Sequence, residues 1–261
     1  MTIVQLTDLH IGATHAGDPA ADLRAAIGAV NEQRAGSAPD AVLVTGDLVN
    51  DGRPEQYAEV TALLATLDAP VHVLPGNHDD RAGLRAAFPL GALEPDDTPA
   101  DAPYRWAAVI AGVRVVACDT LIPGTDDGAF PPEQADWLDR TLAQDASTPT
   151  LVAMHHPPFA VGVPILDAML PAPGERSGLA AVLARHPQVR RVACGHVHLA
   201  AAASCGGAPV LTAPSTWRPQ FGLDIGDPEL RILDGPAGYV IHALLDDELV
   251  AHVRPVDLRA G

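Results

Sequence analysis

The sequence predicts an α/β protein, on two observations. Short apolar, β-favouring runs alternate with segments of helical spacing from residue 2 to residue 74, and further apolar runs recur after residue 104. Several of these runs break off into a cluster of Asp, Asn, His and Gly. Such clusters sit on loops leaving the C-terminal ends of strands, where open α/β sheets carry their ligand sites. The 261 residues are 48% hydrophobic and contain no repeat or low-complexity tract, so one globular domain with a large core is expected.

The first strand covers residues 2–7 and runs into Asp8-Leu9-His10. On an extended backbone residues i and i+2 share a side, so Asp8 and His10 are expected to converge. Asp18-Pro19 supplies an N-cap and first position for a helix over 19–35, with Leu23, Ile27 and Val30 facing inward. Strand 40–45 ends in Gly46-Asp47, helix 54–67 follows, and strand 70–74 leads through Pro75-Gly76 into Asn77-His78-Asp79. Right-handed crossovers make these three strands neighbours and bring Asp8, Asp47 and Asn77 to one sheet edge.

Strands 104–110 and 113–118 flank Ala111-Gly112 as a hairpin, and a helix over 132–144 turns Trp137, Leu138 and Leu142 inward. Strand 150–154 ends at His155-His156-Pro157-Pro158. Alternation along a strand lets one of the two imidazoles reach a shared centre. A helix over 175–186 precedes strand 189–193, which ends in Gly195-His196-Val197-His198, with His196 and His198 on one side by the same rule. Segments 199–204, 208–213, 238–245 and 248–255 read as antiparallel strands. The loop over 215–235 is long, rich in Gly and Pro, and carries Trp217, Arg218, Phe221 and Asp224; ordered loops of this length are usually functional.

Composition excludes several functions. The net charge is −17 and all 16 basic residues are arginine, which removes Schiff-base and P-loop lysine chemistry and argues against extended nucleic acid as a partner. A small anion can still bind if its site carries local positive charge. The N-terminus shows neither a basic n-region nor an apolar h-region, and no run approaches membrane-spanning length, so a cytoplasmic protein without membrane contact is expected. Cys118, Cys194 and Cys205 lack metal-knuckle spacing and read as buried thiols.

The strand ends together supply Asp8, His10, Asp47, Asn77, His155, His196 and His198. This nitrogen and oxygen donor set suits Mn, Fe or Zn. It is too large for one ion and fits two, with one Asp bridging, an arrangement used for in-line displacement at phosphorus. Two divalent ions against Asp8 and Asp47 leave a local surplus of positive charge that attracts a phosphodiester anion.

In this order D-x-H (Asp8, His10), G-D-x-x-N (Gly46, Asp47, Asn50), G-N-H-D (Gly76, Asn77, His78, Asp79), H-H-P-P (His155 onward) and G-H-x-H (Gly195, His196, His198) resemble the motifs of calcineurin-like metallophosphoesterases. The resemblance implies a four-layer α-β-β-α sandwich of two mixed β-sheets, a single domain over residues 1–261. In it the C-terminal strands and loop, about 199–261, complete the second sheet and the pocket rim. Carried over, Asp8, His10 and His198 hold one metal ion, Asn77, His155 and His196 the other, and Asp47 bridges them. His78 is the implied acid toward the leaving alkoxide, with Asp79 a secondary candidate to orient it.

Asn50 stands where purple acid phosphatases carry a Tyr ligand, and residues 46–52 and 76–79 depart from the protein Ser/Thr phosphatase patterns. The chain is more similar to the compact bacterial branch of class III cyclic-nucleotide phosphodiesterases and glycerophosphodiesterases. That branch implies hydrolysis of small phosphodiesters by a hydroxide bridging two metal ions, and homodimers. A phosphomonoesterase or nucleotidase is the alternative, and a non-catalytic scaffold a third. His15 is a candidate substrate contact. Trp217, Arg218 and Phe221 line the substrate pocket, form a subunit contact or pack beneath their loop, alternatives the sequence leaves open.

Overall fold

The computed structural model describes residues 1–32, 38–222 and 225–256. Strands β1 (Thr2–Leu6), β2 (Ala41–Thr45) and β3 (Val71–Leu74) lie side by side and parallel, connected by helices α1 (Pro19–Asn31) and α2 (Pro54–Leu64). A short helix, α3 (Arg81–Ala87), follows the 76–80 turn. The middle of the chain supplies β4 (Trp106–Ile110), β5 (Val113–Ala117), α4 (Pro132–Ala143), β6 (Thr150–Ala153), α5 (Pro164–Ala168), α6 (Pro173–Leu183) and β7 (Val189–Cys194). It closes with the hairpin β8 (Ala201–Cys205) and β9 (Ala208–Thr212). Then come a two-stranded ribbon, β10 (Pro219–Phe221) with β11 (Ile232–Asp234), and the hairpin β12 (Gly238–Leu245) with β13 (Glu248–Pro255).

Two mixed sheets result, ordered β13-β12-β1-β2-β3 and β4-β5-β6-β7-β9-β8. Burial on alternate sides shows how they stack. In β5, Val113, Val115 and Ala117 join the cluster that also holds Ile3, Leu43 and Leu74, between the sheets. The intervening Val116 instead meets Leu138 and Leu142 of α4 and Leu179 and Val182 of α6. Helices α1 and α2 cover the far side of the first sheet through Leu23, Ile27, Val60 and Leu64. The order of layers is therefore α-β-β-α.

The C-terminal segment departs from expectation. Only β8 and β9 join the second sheet; β12 pairs antiparallel with β1 and, with β13, extends the first. Pattern alone does not say which open edge a hairpin will take. The expected helix over 19–35 ends at Asn31, and residues 33–35 lie outside the described residues, as does Asp224. The loop over 215–235 contains the β10–β11 ribbon, whose strands are too short to leave a period-2 signal. Trp137 is half-buried and lies 5.0 Å under the Arg105 guanidinium, while Leu138 and Leu142 are fully buried. All three cysteines are buried thiols.

A buried polar connection centred on Gln5 crosses the inter-sheet core. Gln5 of β1 donates from Nε2 to Thr45 Oγ1 and to the Cys194 carbonyl at the end of β7, each at 2.9 Å. His242 of β12 lies 2.9 Å from Gln5 Oε1 through its Nε2 and is wholly buried. No described helix is long and apolar enough to cross a membrane.

Candidate metal centre

Strands β1, β2, β3, β6 and β7 end at Leu6, Thr45, Leu74, Ala153 and Cys194, so every candidate ligand lies on the loop just beyond a strand. The backbone there is left-handed: φ is 54° at Asp8, 47° at His10, 52° at Asp47, 70° at His196 and 50° at His198. The strand rule for i and i+2 therefore does not apply; paired left-handed turns, not pleating, aim Asp8 with His10 and His196 with His198. A left-handed residue costs about 1–2 kcal/mol, less for Asp and His than for branched residues. Strain of this kind concentrates at functional sites. Gly46 and Gly76 let the loops touch, because a Cβ on Gly76 would overlap Asp47 and one on Gly46 would overlap His155.

The donor atoms converge. His10 Nε2 and His198 Nε2 face each other at 3.1 Å, and His198 Nε2 is 3.4 Å from Asp8 Oδ1. Asp47 Oδ2 lies 3.6 Å from His10 Nε2 and 3.4 Å from His155 Nε2. Asn77 Oδ1 lies 3.0 Å from His155 Nε2 and 3.1 Å from His196 Nδ1. Backbone carbonyls fix two of the rings: His155 Nδ1–H donates to Thr45 at 2.8 Å and His198 Nδ1–H to Pro219 at 2.9 Å, leaving each Nε2 turned inward.

Lone pairs of imidazole, carboxylate and amide oxygen are thus aimed at one another inside the protein. Such an array is stable only with cations at its centre, either protons or metal ions. The buried His196 Nε2 and His10 Nδ1 have no hydrogen-bond partner among the described residues. Without an ion, burial opposes charge on His155, yet the Asp47 and Asp8 carboxylates lift it to about 9. Burial pushes His10 down to about 3, against the pull of Asp47. Burial would raise Asp47, but His155 beside it holds the carboxyl well below the usual range. An anionic Asp47 among imidazoles whose nitrogens point inward is a donor set that fits metal ions.

His78 is half-buried, and its Nδ1–H donates to the Asn50 carbonyl at 2.8 Å. Burial disfavours its charge, but Asp47 and the Asn50 carbonyl outweigh this and raise its titration. Asp79 does not touch His78. Its carboxylate accepts from Gly76 N at 2.9 Å, Leu48 N at 3.2 Å and Tyr57 OH at 3.1 Å, knitting the loops after β2 and β3. Burial, with Asp47 close by, pushes Asp79 up to about 7.

His155 and His156 sit on a bend past the end of β6, so alternation does not decide between them. Hydrogen bonding separates them. His156 Nδ1 lies 2.8 Å from Thr120 Oγ1 and its Nε2–H donates to the Asp126 carbonyl at 3.2 Å, while its ring packs 4.4 Å from that of His196.

A cavity of about 270 Å³ opens above the cluster, lined among others by His15, Asn77, His78, Asp126, Trp217 and Phe221. Phe221 stacks on His198, with ring centres 4.3 Å apart, and His15 meets the Trp217 edge at 4.8 Å. Arg218 does not line the cavity: its Nε donates to Asp22 of α1 at 2.9 Å. The loop it belongs to clamps the Asp8–His10 turn. Ser215 Oγ donates to the Asp8 carbonyl at 2.9 Å, Thr216 N to the Thr7 carbonyl, and Trp217 Nε1 to the Ala16 carbonyl. Ser215, Thr216, Thr120 and Asp126 carry no sequence signal of their own; only contacts across the fold reveal them.

A family model of calcineurin-like phosphoesterases matches residues 1–200. The chain is 34% identical to a cAMP/cGMP dual specificity phosphodiesterase of Mycobacterium tuberculosis, over 95% of this chain and 79% of that protein. It is also 34% identical to a glycerophosphodiester phosphodiesterase of Enterobacter lignolyticus, over 68% of this chain and 63% of that one. A dimetal phosphatase from Danio rerio superposes with a TM-score of 0.71 at 18% identity, covering 98% of this chain and 96% of that structure, which speaks to the fold alone.

Proposed function

The chain belongs to the calcineurin-like phosphoesterase family, and on that premise we propose that it hydrolyses small phosphodiesters, of the cyclic-nucleotide or glycerophosphodiester kind, with a pair of metal ions. The observation that carries this reading is the position of Asp47 Oδ2, within 3.6 Å of His10 on one side and 3.4 Å of His155 on the other. Asp8, His10 and His198 would hold one ion and Asn77, His155 and His196 the other, with Asp47 shared. Mn, Fe and Zn all suit these donors. When bound, the pair supplies Lewis acidity toward the phosphoryl oxygens and an acidified water for attack at phosphorus.

The protein's own part is orientation and proton delivery. The carbonyls of Thr45 and Pro219 keep His155 and His198 in the tautomer that presents Nε2 inward. The Asn50 carbonyl holds His78 by Nδ1, so Nε2–H of the charged ring is free to protonate the departing alkoxide. The aromatic faces of Trp217 and Phe221, beside this group, suit the organic part of an ester and exclude water from it.

The test is turnover by protein reconstituted with Mn, Fe or Zn. Cleavage of bis(p-nitrophenyl) phosphate faster than p-nitrophenyl phosphate, abolished by a chelator and by Asp47→Ala, is the expected result. Clearly faster monoester cleavage would reassign the chain as a phosphomonoesterase.

A further inference from the structure

The cavity contains a charged side chain that belongs to none of the motifs. Asp126 lies on the loop between β5 and α4 and accepts from Asn77 Nδ2 through Oδ1 at 3.3 Å. That bond turns the other end of the amide, Oδ1, toward His155 and His196. The loop is not free to swing. The Asp126 carbonyl accepts from the buried His156, Gly128 N donates to the Met169 carbonyl at 2.7 Å, and Ala129 N donates to the Thr120 carbonyl at 3.0 Å.

The described lining of the same cavity offers no fixed cation. Among the described residues that line it there is no arginine, and the chain has no lysine. Arg218, on the neighbouring loop, is committed to Asp22. Attraction for a phosphate therefore rests on the metal pair and the imidazoles, and Asp126 subtracts one unit from it at the rim. A phosphodiester carries one negative charge and a phosphomonoester nearly two at neutral pH. The second charge of a monoester would be brought beside a carboxylate with no guanidinium in the described lining to offset it.

Resting on the phosphodiesterase reading above, we propose that Asp126 is a specificity residue: its carboxylate, held beside Asn77 at the mouth of a cavity whose described lining contains no arginine, favours singly charged phosphates over doubly charged ones. It acts on the charge of the ligand, not on the bond broken. The tests separate charge from geometry. Asp126→Asn removes the charge and keeps an oxygen that can accept from Asn77, whereas Asp126→Ala removes both. For a unit charge at a partly exposed rim the effect is about 5- to 10-fold.

Two readouts apply, both at about pH 8, where monoesters and inorganic phosphate are doubly charged. In the metal-loaded enzyme, Asp126→Asn is expected to raise the monoester-to-diester ratio of kcat/KM by about 5- to 10-fold, and Asp126→Glu to leave it low. Calorimetric titration with inorganic phosphate is expected to show the Asn variant binding more tightly by a similar factor, with metal content equal to wild type. The proposal is overturned if ratio and phosphate affinity stay within twofold of wild type in Asp126→Asn, or if only Asp126→Ala changes them, which would make the residue purely a prop for Asn77. A wild-type enzyme that cleaves neither ester class contradicts the functional reading instead, and the phosphate titration then still decides on Asp126.

Discussion

In the proposed reaction, His78 is the side chain on which the chemistry of the leaving group would turn. Its Nδ1 is committed to the Asn50 carbonyl and its ring stands 4.7 Å from His10 at the cavity floor. His78→Ala is expected to keep its metal ions and to lose about 10²- to 10⁴-fold in turnover of esters with alkyl leaving groups. Esters of nitrophenol, which need no proton on departure, should lose far less. Equal losses on both would remove His78 from the role of acid. At this scale the sequence was informative about which atoms can donate and silent about how they are aimed. Asp8, His10, Asp47, His196 and His198 were legible as candidate donors from type and spacing. The left-handed backbone that points them inward was not, because no periodicity encodes a φ of 47° to 70°. Asp79 was legible as polar, yet its partners are Tyr57 and two backbone amides, set by burial that a local motif cannot reveal.

Between elements, the loop after β5 is tied to the start of α3 by a bidentate ion pair. Arg81 donates from Nε to Asp119 Oδ2 at 2.7 Å and from a terminal nitrogen to Oδ1 at 3.1 Å, and Asp119 also accepts from the amides of Tyr104 and Leu121. Asp119 is fully buried and the Arg81 side chain only 15% exposed. Removing one partner strands the other, so Asp119→Ala should cost about 3–5 kcal/mol in denaturant unfolding. A loss below 1 kcal/mol would mean that solvent reaches Arg81 freely. The sequence shows most strands well at this scale, since apolar runs of four to six residues survive as β1 to β7 within a residue or two. It misses α3 and α5, at seven and five residues too short for a helical period, and β10 and β11 for the same reason. The resemblance also implied the second sheet for the last hairpin, whereas β12 pairs with β1 through register across the whole chain.

For the molecule as a whole, acid stability reports on the contact between the sheets. Burial, reinforced by Arg191, pushes His242 down to about 3, so the folded protein keeps it neutral where the unfolded chain would protonate it. The unfolded state therefore binds the extra proton below about pH 6.5, and stability present above that value is lost progressively as pH falls toward 3. His242→Gln retains a donor for Gln5 and cannot titrate. Between about pH 7 and pH 5 the wild type should lose up to about 2 kcal/mol more than this variant in chemical denaturation. Parallel losses would show that His242 accepts a proton without unfolding. The net charge of −17 told against polyanion partners but carried no information on the local field, which Asp126 and a described cavity lining without arginine define only in three dimensions.

The central claim is that Asp47 stands between two cations. Anomalous diffraction from crystals grown with manganese tests it most directly. The account predicts two peaks, one beside Asp8, His10 and His198 and the other beside Asn77, His155 and His196, each within coordination distance of an Asp47 oxygen. A single peak, or peaks that Asp47 does not touch, would contradict it.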